Sequence, residues 1–193
     1  MTTRSRTPEL TAQDRLALLR LARSALEAAV TDRAPATSDP GGDPPILDTP
    51  AAAFVTLEEA GELRGCMGTL DPTRPLRESV VSAAISAALR DPRFWPVEPD
   101  ELPRITVEVT VLGPMVPLDD PLDFDPPTEG VVVERRGRRA LLLPQVARER
   151  GWDAETTLSA VCHKAGLPGD AWRAADAQVL AFGAVQAVEG EEG

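Results

Sequence analysis

Polar and apolar positions along this chain follow two periods, and the switches between them mark out its elements. Leu19, Ala22, Leu26 and Ala29 recur three or four residues apart, which predicts an amphipathic helix of about five turns. Thr11-Ala-Gln-Asp14 at its start is a capping box with Asp in place of Glu. Residues 33–50 are rich in Pro, Gly and Asp and read as a long loop, a surface loop before a lid. Ala53-Phe-Val-Thr-Leu57 is strand-like, Glu59-Ala-Gly-Glu62 turns, and Leu63 to Leu70 returns, which predicts a β-hairpin. Pro75 opens a helix, where its missing N–H costs nothing, and Leu76, Val80, Ala84 and Ala87 form its apolar face. Asp91-Pro92 closes that helix.

Ile105, Val107, Val109 and Val111 alternate with Thr106, Glu108 and Thr110, the clearest strand pattern in the chain. Residues 113–128 are again rich in Pro and Asp. Val131-Val-Val133 and Ala140-Leu-Leu-Leu143 flank Arg135-Arg-Gly-Arg138, a second hairpin. Leu158, Val161, Cys162 and Ala165 share a helical face, with Gly166 as the cap and Pro168 behind it. Val179, Ala181, Gly183 and Val185 predict a last strand. The mixture is α+β: an antiparallel sheet with flanking helices.

The chain has 193 residues, enough for one good core or for a main domain with a small appendage. Aromatics are 4% and Tyr is absent, so the core must be built from Leu, Val and Ala. A net charge of −11 argues against a broad phosphate-binding surface, though not against a local basic pocket. Two cysteines, Cys66 and Cys162, do not make a disulfide framework. No apolar run approaches the roughly 18–20 residues of a membrane span, and the start of the chain lacks the apolar core of a signal peptide. A cytoplasmic protein with two free thiols is the expectation. Two cysteines and a single histidine, His163, are too few for a structural zinc or iron–sulfur site, so no cofactor is expected.

Candidate chemistry centres on Leu63-Arg64-Gly65-Cys66-Met67-Gly68-Thr69. Glycine admits close approach of a backbone or a ligand, and a nearby cation favours thiolate. In an extended strand Arg64 and Cys66 point to the same side. Cys66 is therefore the candidate nucleophile or soft ligand, with Arg64, Gly65, Gly68 and Thr69 around it. Asp91 and Arg93 would be a structural pair at a tight turn or an anion clamp. Glu108 faces away from the Ile/Val side of its strand, as part of a solvated face or as a general base. Cys162 reads as packing, His163 as a surface residue and Lys164 as a cation suited to a helix end. Arg135, Arg136, Arg138 and Arg139 form the only dense basic patch, a solvated hairpin tip or a phosphate contact.

Phe54-Val-Thr-Leu, Leu63-Arg-Gly-Cys-Met-Gly-Thr, Asp91-Pro-Arg-Phe, Ile105-Thr-Val-Glu-Val-Thr-Val-Leu112, Leu143-Pro-Gln-Val146 and Lys164-Ala-Gly-Leu167 together resemble the AMMECR domain family. The match runs over residues 10–188, leaving 1–9 and 189–193 as flexible termini. Bacterial and archaeal members are described as AmmeMemoRadiSam system protein A. The resemblance implies a larger lobe built from both chain ends, a smaller lobe within residues 70–115 and a cleft between them. It also implies Memo-like and radical S-adenosylmethionine partners, with a small molecule or nucleic acid as substrate, in nucleic-acid modification. It supplies no reaction. Met67 stands where Ile is usual, Thr128-Glu-Gly-Val131 replaces a more basic turn, and Thr157 stands where Phe is common. Two readings follow: an enzyme or enzyme component using a cleft around Cys66, or a non-catalytic binding or scaffold module.

Overall fold

Thr11 closes the capping box at the start of the first helix. Its hydroxyl accepts from the Asp14 amide, and the Asp14 carboxylate accepts from the Thr11 amide. From there α1 runs over Ala12–Val30. The computed structural model describes residues 8–33 and 42–190. Most of both termini predicted to be flexible lies outside these residues, as does the 34–41 part of the predicted loop.

The described part of that loop is not loose. Pro45–Asp48 forms a 3-10 turn that buries Leu47. Arg77 reaches back to Asp43 and Asp48 and ties the turn to the next helix. The strands are β1 (Ala53–Glu59), β2 (Glu62–Gly68), β3 (Ile105–Leu112), β4 (Val116–Pro117), β5 (Glu129–Arg135), β6 (Arg138–Leu142) and β7 (Gln178–Val188). The further helices are α2 (Leu76–Leu89), α3 (Pro144–Arg150) and α4 (Ala154–Lys164). The class is α+β, with antiparallel strand pairs and flanking helices. Three elements differ from the sequence pattern: α3 and β4 are additional, and β7 runs on past Val185.

The chain divides into two units. One takes the described residues of Glu9–Leu112 and of Val185–Gly193, the other Gly113–Ala184. The segment 70–115, named above for the smaller lobe, divides between them at Leu112/Gly113.

In the first unit the strand order is β2-β1-β3, followed by the C-terminal end of β7, so β2 is an edge. Alternation sends Ala53, Val55 and Leu57 of β1 and Val107, Val109 and Val111 of β3 into one core. Leu18, Ala22 and Leu26 of α1 and Leu76, Val80, Ala84 and Ala87 of α2 complete it. Ala-rich α2 allows a very close approach: a Cβ on Gly65 would lie 2.3 Å from the Ala87 carbonyl oxygen. Gly65 is therefore the place where β2 meets the backbone of α2.

In the second unit β5 lies between β6 and β7, and β4 pairs with β7 at Val116–Ala181. Val131, Val133, Leu158, Val161 and Cys162 are fully buried there beside Trp172. Cys162 is core packing, and burial pushes its thiol above the ordinary value. His163 is exposed. The basic hairpin is matched by its own surroundings. Arg135 and Arg136 both pair with Asp176, Arg138 donates to the Gly166 carbonyl, and Arg139 lies 3.8 Å from Glu134.

Candidate functional site: a polar row across the sheet edge

Cys66 sits on edge strand β2, opposite Thr56 of β1, which in turn lies opposite Glu108 of β3. Directly paired residues share a face, so these three side chains form a row on the face turned away from α1 and α2. The Thr56 hydroxyl lies 3.4 Å from Cys66 Sγ. The Glu108 carboxylate accepts from Gln186 Nε2 at 2.8 Å and from the Thr110 hydroxyl at 3.1 Å. Phe54 flanks the row and covers Gly68, where a Cβ would fall 2.4 Å from the ring. Cys66 itself is partly exposed.

Asp91 and Arg93 complete the edge. An edge strand leaves main-chain donors and acceptors unpaired on its outer side. Here the Cys66 amide donates to Asp91 Oδ2 at 2.9 Å, and Arg93 Nη2 donates to the Cys66 carbonyl at 3.2 Å. At Cys66 the side-chain pair thus does what a neighbouring strand would do. Arg93 grips Asp91 through Nε and Nη2 at 2.9 and 2.6 Å. That grip holds the Asp91 carboxyl well below the usual carboxylate range, against the burial that would raise it, and the amides of Cys66 and Arg93 help.

Arg64 does not follow the simple strand geometry. Leu57 pairs with Gly65 and Glu58 with Leu63, which leaves Arg64 as the extra residue of a β-bulge. The alternation that would set Arg64 beside Cys66 is interrupted there. Arg64 instead donates to both carboxylate oxygens of Glu101, at 2.7 and 3.0 Å, and to the carbonyls of Trp95 and Pro96. The Glu101 hydrogen bond is the main cause of its raised pKa. Phe94 has the Arg64 and Arg93 guanidiniums at 6.0 and 5.5 Å from its ring centroid. Arg64 therefore anchors residues 94–101. Arg64→Lys keeps the charge and loses the fork. It is expected to cost about 1–2 kcal/mol and to speed hydrogen exchange at the Val97 amide, bonded to the Ala88 carbonyl, with Val109 unchanged.

Of the residues singled out in the sequence, Cys66, Asp91 and Arg93 stand together, and Glu108 joins them through Thr56. Gly65 and Gly68 admit the protein's own Ala87 and Phe54. The Thr69 hydroxyl accepts from the Asp71 amide in the turn after β2. Thr56, Thr110 and Gln186 were missed. Polar residues at alternate positions of apolar strands are the signal that reveals the first two, and Gln186 lay beyond the predicted end of its strand. Among the described residues no three His, Cys, Asp or Glu side chains converge as a metal site, and no helix is long and apolar enough to cross a membrane.

A model of the AMMECR1 family matches residues 19–187. A protein of Methanothermobacter thermautotrophicus is 48% identical over 145 residues, covering 72% of this chain and 76% of its own length. One of Aeropyrum pernix is 44% identical over 183 residues, 90% of this chain and 78% of that protein. The crystal structure of the uncharacterised protein PH0010 from Pyrococcus horikoshii superposes with a TM-score of 0.80 at 38% identity, covering 88% of both chains.

Proposed function

The chain belongs to the AMMECR1 family, and from that premise we propose that it is an enzyme or enzyme component whose working surface is the polar row around Cys66. The observation that carries this reading is the placement of a partly exposed thiol 3.4 Å from the Thr56 hydroxyl, on the same face as the Glu108 carboxylate. A hydroxyl that donates to sulfur stabilises developing negative charge there. Asp91 and Arg93 fix the main chain on both sides of the thiol, which reduces the reorganisation a reaction at sulfur would need. Covalent thiol chemistry, or capture of a reactive intermediate, suits such a surface. The setting proposed with it is a cytoplasmic role beside Memo-like and radical S-adenosylmethionine partners, on a small molecule or a nucleic acid, in keeping with the resemblance noted in the sequence.

Two variants test it. Thr56→Val removes the hydroxyl at nearly constant volume and is expected to slow alkylation of Cys66 by about three- to tenfold, the loss of one hydrogen bond of roughly 1 kcal/mol. Cys66→Ser is expected to fold normally and to fail to complement a deletion strain. Full complementation by folded Cys66→Ser would sink the enzymatic reading in favour of the scaffold module. The observation on that side is that Arg64, Arg93 and Asp91 already spend their hydrogen bonds on the protein itself.

A further inference from the structure

We infer that the Cys66 face accepts uncharged or cationic electrophiles and turns away anionic ones. The inference rests on the reading of Cys66 as a working thiol and adds the charge class of what it meets.

Two arginines lie near the thiol in sequence, and Arg93 with Asp91 reads there either as a structural pair or as an anion clamp. Their surroundings cancel that role. Arg64 is matched by Glu101 at 2.7 Å, and Arg93 by Asp91 at 2.6 Å. Both carboxyls are held below their usual range by those arginines, so they stay ionised as partners. Each pair is charge-balanced as a unit, with the Arg93 guanidinium still in electrostatic reach of Cys66.

Glu108 is different. Its partners, Thr110 and Gln186, are neutral donors. No ion pair recorded among the described residues includes it. It lies two strands from Cys66, about 10 Å between main chains, with the Thr56 side chain between them. One uncompensated carboxylate at that distance changes the local concentration of a singly charged reagent by about three- to tenfold, depending on the intervening dielectric. The net charge of −11 acts in the same direction at longer range. Thr56, Thr110 and Gln186 offer hydroxyl and amide groups, which hydrogen-bond neutral polar ligands.

The test uses iodoacetamide and iodoacetate, which differ by one negative charge. In both reactions the Cys66 sulfur bonds to the reagent methylene as iodide leaves, and the thiol proton passes to buffer. Modification at Cys66 is followed by peptide mass spectrometry on the intact chain, and N-acetylcysteinamide corrects for intrinsic reactivity. The expected result at low salt is an amide-to-acid rate ratio about three- to tenfold above the reference thiol. It should collapse toward the reference in 0.5 M NaCl, where the Debye length is only about 4 Å, and in Glu108→Gln. The salt titration needs no variant and decides the matter if Glu108→Gln does not fold. A ratio at or below the reference overturns the charge class and leaves the thiol reading standing. A high ratio that persists in folded Glu108→Gln overturns the assignment to Glu108. Failure of both reagents to modify Cys66 in the folded chain overturns the thiol reading, and this inference with it.

Discussion

Gly65→Ala is expected to lower the thermal midpoint by about 6–12 °C. The added methyl would lie 2.3 Å from the Ala87 carbonyl oxygen and 3.2 Å from its carbon. Both belong to the α2 backbone and cannot swing aside as a flexible side chain would. Either β2 moves off the helix or α2 shifts along the sheet, and each opens space beside Ala83, Ala84 and Ala87, all buried. Overpacking of this kind costs about 3 kcal/mol, and a chain of this size loses roughly 2–4 °C per kcal/mol. Thermal unfolding followed by circular dichroism checks it. A shift under 2 °C would mean that the strand–helix spacing relaxes freely and that Gly65 is not set by packing.

The second large effect lies at Asp91. Its side chain is 2% exposed and serves the Cys66 amide, the Arg93 amide and the Arg93 guanidinium. Asp91→Ala leaves the Cys66 amide and carbonyl without their fixed partners and strands the Arg93 cation. Arg93 is 53% exposed, so water recovers part of its hydration. The expected loss is about 2–3 kcal/mol, below the 3–5 typical of a fully buried pair. The effect depends on pH. The Asp91 carboxyl is depressed in the folded chain, so its contribution is whole above the unfolded value of about 3.9. It falls as pH drops below that value toward the folded one. Urea unfolding should therefore separate the native chain from Asp91→Asn more at pH 7 than at pH 3. An equal gap at both pH values would show that the ionised carboxylate is not what stabilises the edge.

Local signals carried much of the fold. The Thr11–Asp14 box, the Ile105–Val111 alternation and the turns of both hairpins each name their element without a partner. What they leave out depends on pairing. The bulge at Arg64 exists only in the register between two strands, so spacing within β2 alone put Arg64 beside Cys66. Glu101 lies 37 positions from Arg64, and no local pattern joins them. Gln186 belongs to the part of β7 beyond Val185, where the strand has only Gln186, Ala187 and Val188 left and Glu189 follows. Cys66, Asp91 and Arg93 stood out because glycine and charge are conspicuous in short motifs. Thr56 and Thr110 did not, because threonine is an ordinary strand residue.

The closure of the β2 edge by Asp91 and Arg93 bears on how this chain behaves in a crowded solution. An outermost strand with open main-chain groups is a template on which another copy can polymerise. Covering it with a helix would hide Cys66. A carboxylate and a guanidinium occupy the Cys66 amide and carbonyl from the side, so the thiol stays partly exposed while the middle of the edge is no longer open for pairing. The arrangement resists mild acid as well, because Arg93 holds the folded Asp91 carboxyl well below the usual carboxylate range.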